Sequence, residues 1–531
     1  MAQQHLDRLT AIDATFLHQE TPAAHMHIGG VLVFAGPAPS LEKLTEHIDS
    51  RLHGIPRYRQ KLAFPPLDAG RPLWIDDPVF NIAYHVRGAA LPAPGTDAQL
   101  MDLVARVASQ PLDRAKPLWE CYLVEGIAPE PGGGAAMRFA LVVKTHHSLF
   151  DGVSGVDLAT VLLDATPEPV PERALEDPEP WQPEPEPTPA ELVLAGLRGT
   201  AGATTGLALR AVAATVQPDR SMGAFRDVVE GLGEIAWAAL NPAPATPLNV
   251  EIGPHRRLAV VRQQLADYKL IKNALGGTVN DVILSVVSGA LADWLRGRRV
   301  PTAGLEMRAL VPVSVRTKSQ HNTLGNQLTL MRGPLPVYID DPVARLAVVR
   351  VAMNGLKESK QALGAATIAA MNDLAPPAVL AQASRLQFST RLFNLLVTNI
   401  PGPQFPLYVL GRRLHDMFPL AFLPKNHALA VAIMSYEGRI EYGLLGDYDA
   451  LPDIGVIAEG IDSGLAELVM AAKSGGASRR PKKRPKRNAG PPESTGQGPV
   501  GRRAGGPDGG TNGDDPGHTA GDRMTGRRAS G

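Results

Sequence analysis

The chain has 531 residues, is 44% hydrophobic and carries 53 basic against 53 acidic side chains. That length exceeds one ordinary core, so two domains are expected, and the balanced charge argues against a nucleic-acid-binding role. Its one cysteine, Cys121, excludes an intramolecular disulfide and a thiolate metal site and gives no sign of an oxidising compartment.

Residues 1–8 lack the basic start and apolar core of a secretory signal, and no apolar run reaches bilayer-spanning length. A cytoplasmic protein, with any membrane contact peripheral, is therefore expected. Cys121 follows Trp119 and Glu120 in a strand-like run, where a small buried side chain accounts for it without any activation of the thiol. Residues 138–145 read as a buried strand, and residues 153–164 as a helix with Val156, Leu158, Val161 and Leu162 apolar.

Between these two elements lies His146-His147-Ser148-Leu149-Phe150-Asp151-Gly152. An imidazole held at the end of a strand can reach a hydroxyl or thiol, and its unperturbed pKa of about 6.5 leaves it mostly neutral and basic at pH 7. Asp151 is short and Gly152 permits a tight backbone path, so Asp151 is expected to brace the loop rather than touch substrate. The pair shows neither H-x-x-x-H nor H-E-x-x-H spacing, so no metal is expected; two purely structural histidines stay open as a reading of the dipeptide alone.

From residue 166 to 189 the chain turns into Pro-Glu repeats, where proline stops helices and like charges repel, and an extended linker is expected. Two helical stretches follow, 190–216 and 222–240. The second carries Phe225, Val228, Val229, Leu232, Ile235 and Leu240 near one face, more in keeping with a core face than a lipid-docking one. The first, rich in Leu, Ala, Gly and Thr, is expected to dock on the protein, with interfacial lipid contact the open alternative.

The second half restarts with a strand over 256–262 and a helix over 265–275, closed by Gly276 and Gly277. Thr278 offers an N-cap for a helix over 280–296, so Asn280 and Asp281 fall in its first turn, where a carbonyl or carboxylate satisfies free N–H groups and complements the helix dipole. Strands are expected over 307–315, 328–331, 392–399, 428–436 and 439–445, with helices over 341–363 and 452–472. Strands and helices in both halves predict an α/β architecture. Beyond residue 474 the composition cannot bury a core and a disordered tail is expected, opening on the basic run Arg479–Arg487. That run suits an electrostatic tether to a membrane or lipid-droplet surface; with no aromatic interleaved, nucleic-acid binding is not expected.

The seven-residue string resembles the HHxxxDG signature of the coenzyme A-dependent acyltransferases. Further blocks narrow the resemblance to the bacterial wax ester synthase/diacylglycerol acyltransferases. They are residues 9–17, residues 25–34, Pro117-Leu118-Trp119, residues 277–281 and 312–316, Gly325-Asn326 and residues 398–403. Together they fall in the family's order and span roughly residues 5–470. Ser148 stands where that family often has Ala, and the tail lies outside the pattern.

The resemblance implies two chloramphenicol-acetyltransferase-like subdomains with an active-site tunnel between them. Residues 1–165 and 251–473 would form the subdomains, 166–250 the linker and crossover helices, and 474–531 the tail. It implies His147 as general base, His146 as its support, and Asp151 and Gly152 as loop-structuring residues; separately, Asp151 is expected to form an internal ion pair, with Arg316 the hypothesised partner. Pro117, Leu118, Trp119, Asn280, Asp281 and Arg316 are implied as channel or structural residues. Long-chain acyl-CoA would be a substrate rather than a cofactor, and none other is implied. The acceptor would be diacylglycerol, giving triacylglycerol, or a long-chain alcohol, giving wax ester. A polyketide or glycolipid acceptor, a carrier-protein donor, and a non-catalytic lipid-binding protein on the same fold remain alternatives.

Overall fold

A computed structural model describes residues 6–68, 70–130, 137–149, 162–168, 181–198, 241–314, 328–358 and 388–478. The chain divides into two units, Met1–Arg479 and Arg480–Gly531, and all the described residues belong to the first. Among the described residues there are fifteen strands, β1 (Asp7–Arg8), β2 (His27–Ala35), β3 (Gln60–Ala63), β4 (Leu73–Asp76), β5 (Val86–Ala90), β6 (Trp119–Ile127), β7 (Arg138–His146), β8 (Arg256–Gln264), β9 (Glu306–Ser314), β10 (Leu328–Pro336), β11 (Leu395–Pro401), β12 (Tyr408–Val409), β13 (Arg412–Leu420), β14 (Leu429–Tyr436) and β15 (Arg439–Asp447).

These strands form two six-stranded sheets, ordered β12-β13-β2-β7-β6-β5 and β10-β9-β11-β14-β15-β8, and a small sheet β1-β4-β3. The first sheet is built around β2 and β7, which pair antiparallel with His27 opposite His146. Phe34 and Phe139, neighbours across this pair, stack at 5.0 Å. The mixed α/β class is as the sequence predicts.

Two strands break the simple division by chain position. β12 and β13 come from the C-terminal stretch yet complete the N-terminal sheet, β13 pairing with β2 with Phe418 opposite Val31 and Leu420 opposite Gly29. The sequence reading did not find β13: Arg412, Arg413, His415 and Asp416 hide its alternation, Pro419 discourages a strand assignment, and a register shift lies between Leu414 and Asp416.

The second half folds around the helix Val279–Gly297. A capping box starts it, Thr278 Oγ1 accepting the Asp281 N–H at 3.2 Å while Asp281 Oδ2 accepts the Thr278 N–H at 2.8 Å. Gly277, at φ +93°, leads into this cap in a left-handed backbone that a side chain rarely adopts. From Val282 to Ala292 every residue is buried, and apart from Ser285 and Ser288 this stretch is apolar or glycine, as its enclosure requires. The helix Ile454–Ser478 approaches it closely: a Cβ at Gly460 would lie 2.9 Å from Ala290 Cα.

Among the described residues no single helix is long and apolar enough to cross a membrane. The helix Leu265–Leu275 ends at Gly276 as expected, at φ +87°. β10 runs on to Pro336, past the expected end at 331, and the last helix reaches Ser478, past the expected start of the tail at 474. Residues 189–198 are helical; the rest of the 190–216 stretch and the expected helix over 222–240 lie outside the described residues. So do most of the expected 153–164 helix, the end of the 341–363 helix and the tail after residue 478.

Candidate active site

β7 ends at His146, and a single 3-10 turn, His147–Leu149, follows. Two backbone hydrogen bonds fix this corner: the His147 N–H donates to Met26 O at 2.8 Å and the His146 N–H to Leu118 O at 2.9 Å. Leu118 and Trp119 are fully buried. Trp119 donates its indole N–H to Tyr58 O at 2.8 Å and stacks on His85 at 4.6 Å. In the described contacts Pro117-Leu118-Trp119 therefore serves as scaffold, offering the loop a carbonyl from a rigid anchor.

The two histidines differ sharply. His146 is 1% exposed; its Nδ1 accepts the Ser148 N–H at 3.1 Å and lies 2.6 Å from Ser148 Oγ. Since Nδ1 accepts from an N–H, the hydrogen of the neutral ring sits on Nε2, which faces Glu20 Oε2 at 3.7 Å. Burial pushes the His146 pKa down to about 3, with Glu20 opposing. His147 is half-buried. Its ring lies flat on Phe16, centroids 3.8 Å apart and planes 18° apart, with Phe422 edge-on at 5.7 Å. Burial lowers its pKa to about 4, so it is neutral at pH 7. Among the described residues Nδ1 is buried without a hydrogen-bond partner on another residue, which leaves Nε2 as the nitrogen able to meet a substrate.

Phe422 follows β13, and Phe388 adds a second ring from the C-terminal half, 5.9 Å from Phe422 and 6.3 Å from Phe16. His147 thus stands where the two halves meet, in an aromatic surround that lowers the local dielectric.

Beneath the corner lies Glu20, just past the helix Ala11–Gln19 that carries Phe16. Arg114 donates to Glu20 Oε2 from Nε at 3.0 Å and from a terminal nitrogen at 2.6 Å, and to Leu17 O at 3.2 Å. Glu20 Oε1 accepts the Met26 N–H at 3.4 Å and lies 3.5 Å from His27 Nε2. Burial opposes its ionisation, but His27, His146 and Arg114 overcome that and hold the carboxyl down at about 2. At neutral pH both histidines are uncharged, His27 being pushed by burial to about 4, and Arg114 is the cation that remains.

Asn280 and Asp281 are placed together at the start of the helix Val279–Gly297. Asn399 Nδ2 donates to Asn280 Oδ1 at 3.4 Å, tying the helix start to the Asn399-Ile400-Pro401-Gly402-Pro403 turn. Asp281 is fully buried and occupied by its cap, apart from Oδ1, which has no partner among the described residues. Asp151, Gly152 and Arg316 lie outside the described residues. Among the described residues no group of three His, Cys, Asp or Glu side chains could hold a metal ion. Cys121 is buried in β6 and burial pushes its thiol up to about 12, so it is an inert core residue. Phe16, Glu20, Arg114 and Phe422 were not singled out from sequence. Phe16 and Glu20 lie in or beside a block already recognised, but only the fold brings Arg114 and Phe422 to them.

Residues 9–283 match the wax ester synthase/diacylglycerol acyltransferase catalytic domain, and residues 324–469 the C-terminal domain of the same family. Among curated proteins, the chain is 31% identical over 486 residues to the probable diacylglycerol O-acyltransferase tgs1 of Mycobacterium tuberculosis, covering 90% of this chain and 98% of tgs1. It is 30% identical over 472 residues to the probable diacylglycerol O-acyltransferase tgs2 of the same organism, covering 88% and 99%. Among solved structures, the wax ester synthase/diacylglycerol acyltransferase of Marinobacter aquaeolei VT8 matches with a TM-score of 0.60 and 27% identity, over 88% of this chain and all of that one. The first condensation domain of the calcium-dependent antibiotic synthetase shares the fold, with a TM-score of 0.53 at 16% identity, over 88% of this chain and 97% of that one. The chain belongs to the wax ester synthase/diacylglycerol acyltransferase family.

Proposed function

We propose that this protein transfers a long-chain acyl group from acyl-CoA to the hydroxyl of diacylglycerol, forming triacylglycerol, and also acylates long-chain alcohols to wax esters. The observation that carries the reading is His147: neutral, clamped between Phe16 and Phe422, with Nε2 free to meet a hydroxyl. His147 takes the proton of the acceptor hydroxyl as that oxygen attacks the thioester carbonyl. The tetrahedral intermediate collapses with cleavage of the C–S bond, and the imidazolium returns its proton to the CoA thiolate. Both substrates meet in a tunnel between the halves, so proximity replaces a covalent acyl-enzyme.

Asp151 and Gly152 shape the loop after the histidines, Asp151 through an ion pair with Arg316, and Asn280 and Asp281 shape the channel. The 1–165 and 251–473 spans act as the two subdomains, joined by 166–250. The protein works on the cytoplasmic face of a membrane or lipid droplet, held in part by the basic run Arg479–Arg487. Removal of residues 474–531 is expected to weaken liposome binding, and unchanged binding would refute the tether.

The activity is tested with purified protein, palmitoyl-CoA, and either dioleoylglycerol or hexadecanol, following CoA release and identifying the lipid formed. Acceptor-dependent CoA release with triacylglycerol as the main product is expected. CoA release that ignores the acceptor, or no lipid product with either, contradicts the reading.

A further inference from the structure

Glu20 meets the corner that holds His147 from three sides. Through Oε1 it accepts the N–H of Met26, the residue whose carbonyl accepts the His147 N–H. Through Oε2 it faces the Nε2 of His146, the neighbour of His147. It closes the helix that presents Phe16 to the His147 ring. Its side chain is largely buried, whereas that of its partner Arg114 is 41% exposed. Arg114 spans 94 residues of sequence to make two donations to one carboxylate oxygen and a third to the carbonyl of Leu17.

From this geometry we infer that Arg114 and Glu20 form a positioning bracket for His147. The ionised carboxylate sets the tautomer of His146 and the backbone path at Met26, and Arg114 keeps that carboxylate charged and in place. The proposal rests on His147 being the base. Neither bracket residue touches substrate. The bracket acts by holding Nε2 of His147 in line with the acceptor hydroxyl, where displacement by about 1 Å is enough to cost a factor on the order of a hundred in rate. It also gives the residues before Pro117-Leu118-Trp119 a task. Within six residues the same segment supplies the cation for Glu20 and, through Leu118 O, the acceptor for the His146 N–H.

The test uses the full chain with palmitoyl-CoA and dioleoylglycerol, comparing wild type, Glu20→Gln, Arg114→Met, Arg114→Lys and His147→Ala. The readouts are kcat, KM for acyl-CoA and the thermal midpoint. Glu20→Gln and Arg114→Met are expected to lower kcat about 10- to 100-fold while KM stays within about twofold, and Arg114→Lys to recover part of the loss. Because Arg114 is partly exposed, its variants fold even where Glu20→Gln does not, and the Met and Lys variants then decide. Folded variants with wild-type kcat, a loss confined to KM, or equal losses in Arg114→Met and Arg114→Lys would overturn the bracket. His147→Ala separates the two claims: wild-type turnover there removes the base itself. An inactive His147→Ala beside a fully active Glu20→Gln removes the bracket alone.

Discussion

Two of the buried charge clusters among the described residues are built to different rules. In the one under His147, a single carboxylate, Glu20, has a full cation in Arg114 and neutral imidazoles around it. In the other, where β13 faces β15 and β8, two carboxylates share the space. Asp416 takes Arg262 at 3.0 Å and Arg439 at 2.9 Å, with His415 3.4 Å away; His415 and Arg262 overcome burial to hold it at about 2. Glu441 accepts the Met417 N–H through one oxygen while its other oxygen has no partner among the described residues; burial first, then the charge of Asp416, push it up to about 8. Arg262 also reaches Asp97 at 3.3 Å, so this cluster ties the N-terminal half to the C-terminal strands. One cluster aims a side chain, and the other joins two halves. Breaking the first is expected to cost rate, and breaking the second to cost stability.

The largest effect is expected at the residue the first cluster aims. His147→Ala removes the proposed base and is expected to lower kcat by about 10²- to 10⁴-fold in the CoA-release assay. The losses from Glu20→Gln and Arg114→Met come next. For the second cluster, Asp416→Asn leaves Arg262 and Arg439 without their shared anion. Both arginines are partly solvated, so the cost is set at about 2 kcal/mol, below that of a fully buried pair, and is read in a urea titration. Turnover of the folded Asp416→Asn enzyme should stay near wild type; a loss of rate without loss of stability would erase the distinction between the clusters.

Glu441 sharpens the comparison through pH. Its folded pKa of about 8 lies above its unfolded value near 4.5, so the native state keeps a proton that the unfolded chain has released. Its contribution to stability is complete below pH 4.5 and is lost as pH rises through 8. The thermal midpoint is expected to fall between pH 6 and pH 8.5 in wild type, and to fall less in Glu441→Gln. An equal fall in both removes Glu441 as the cause. The smallest effect lies outside both clusters: Thr278→Ala removes one half of a capping box and is expected to cost about 1 kcal/mol.

What could be read from sequence was what is local. The helix starting at Thr278 and the turn of two histidines after a buried strand each carry their signal within a few residues, in caps, glycines and apolar period. β13 was missed because its burial is decided by β2, which lies far away in sequence and donates the other half of its hydrogen bonds. The bracket was missed for the same reason. Nothing near Glu20 announces Arg114, and a lone Glu beside a helix end reads as solvated until the fold encloses it. His147 was legible by motif, but its stacking on Phe16 and the edge contact from Phe422 depend on two chain segments meeting.

The most direct test of the central claim is the rate of triacylglycerol formation by His147→Ala against wild type, both folded, with palmitoyl-CoA and dioleoylglycerol. Near-complete loss of product with an unchanged thermal midpoint is the expected result. Retention of wild-type turnover would mean that another group takes the acceptor's proton, and the role assigned to His147 would fall.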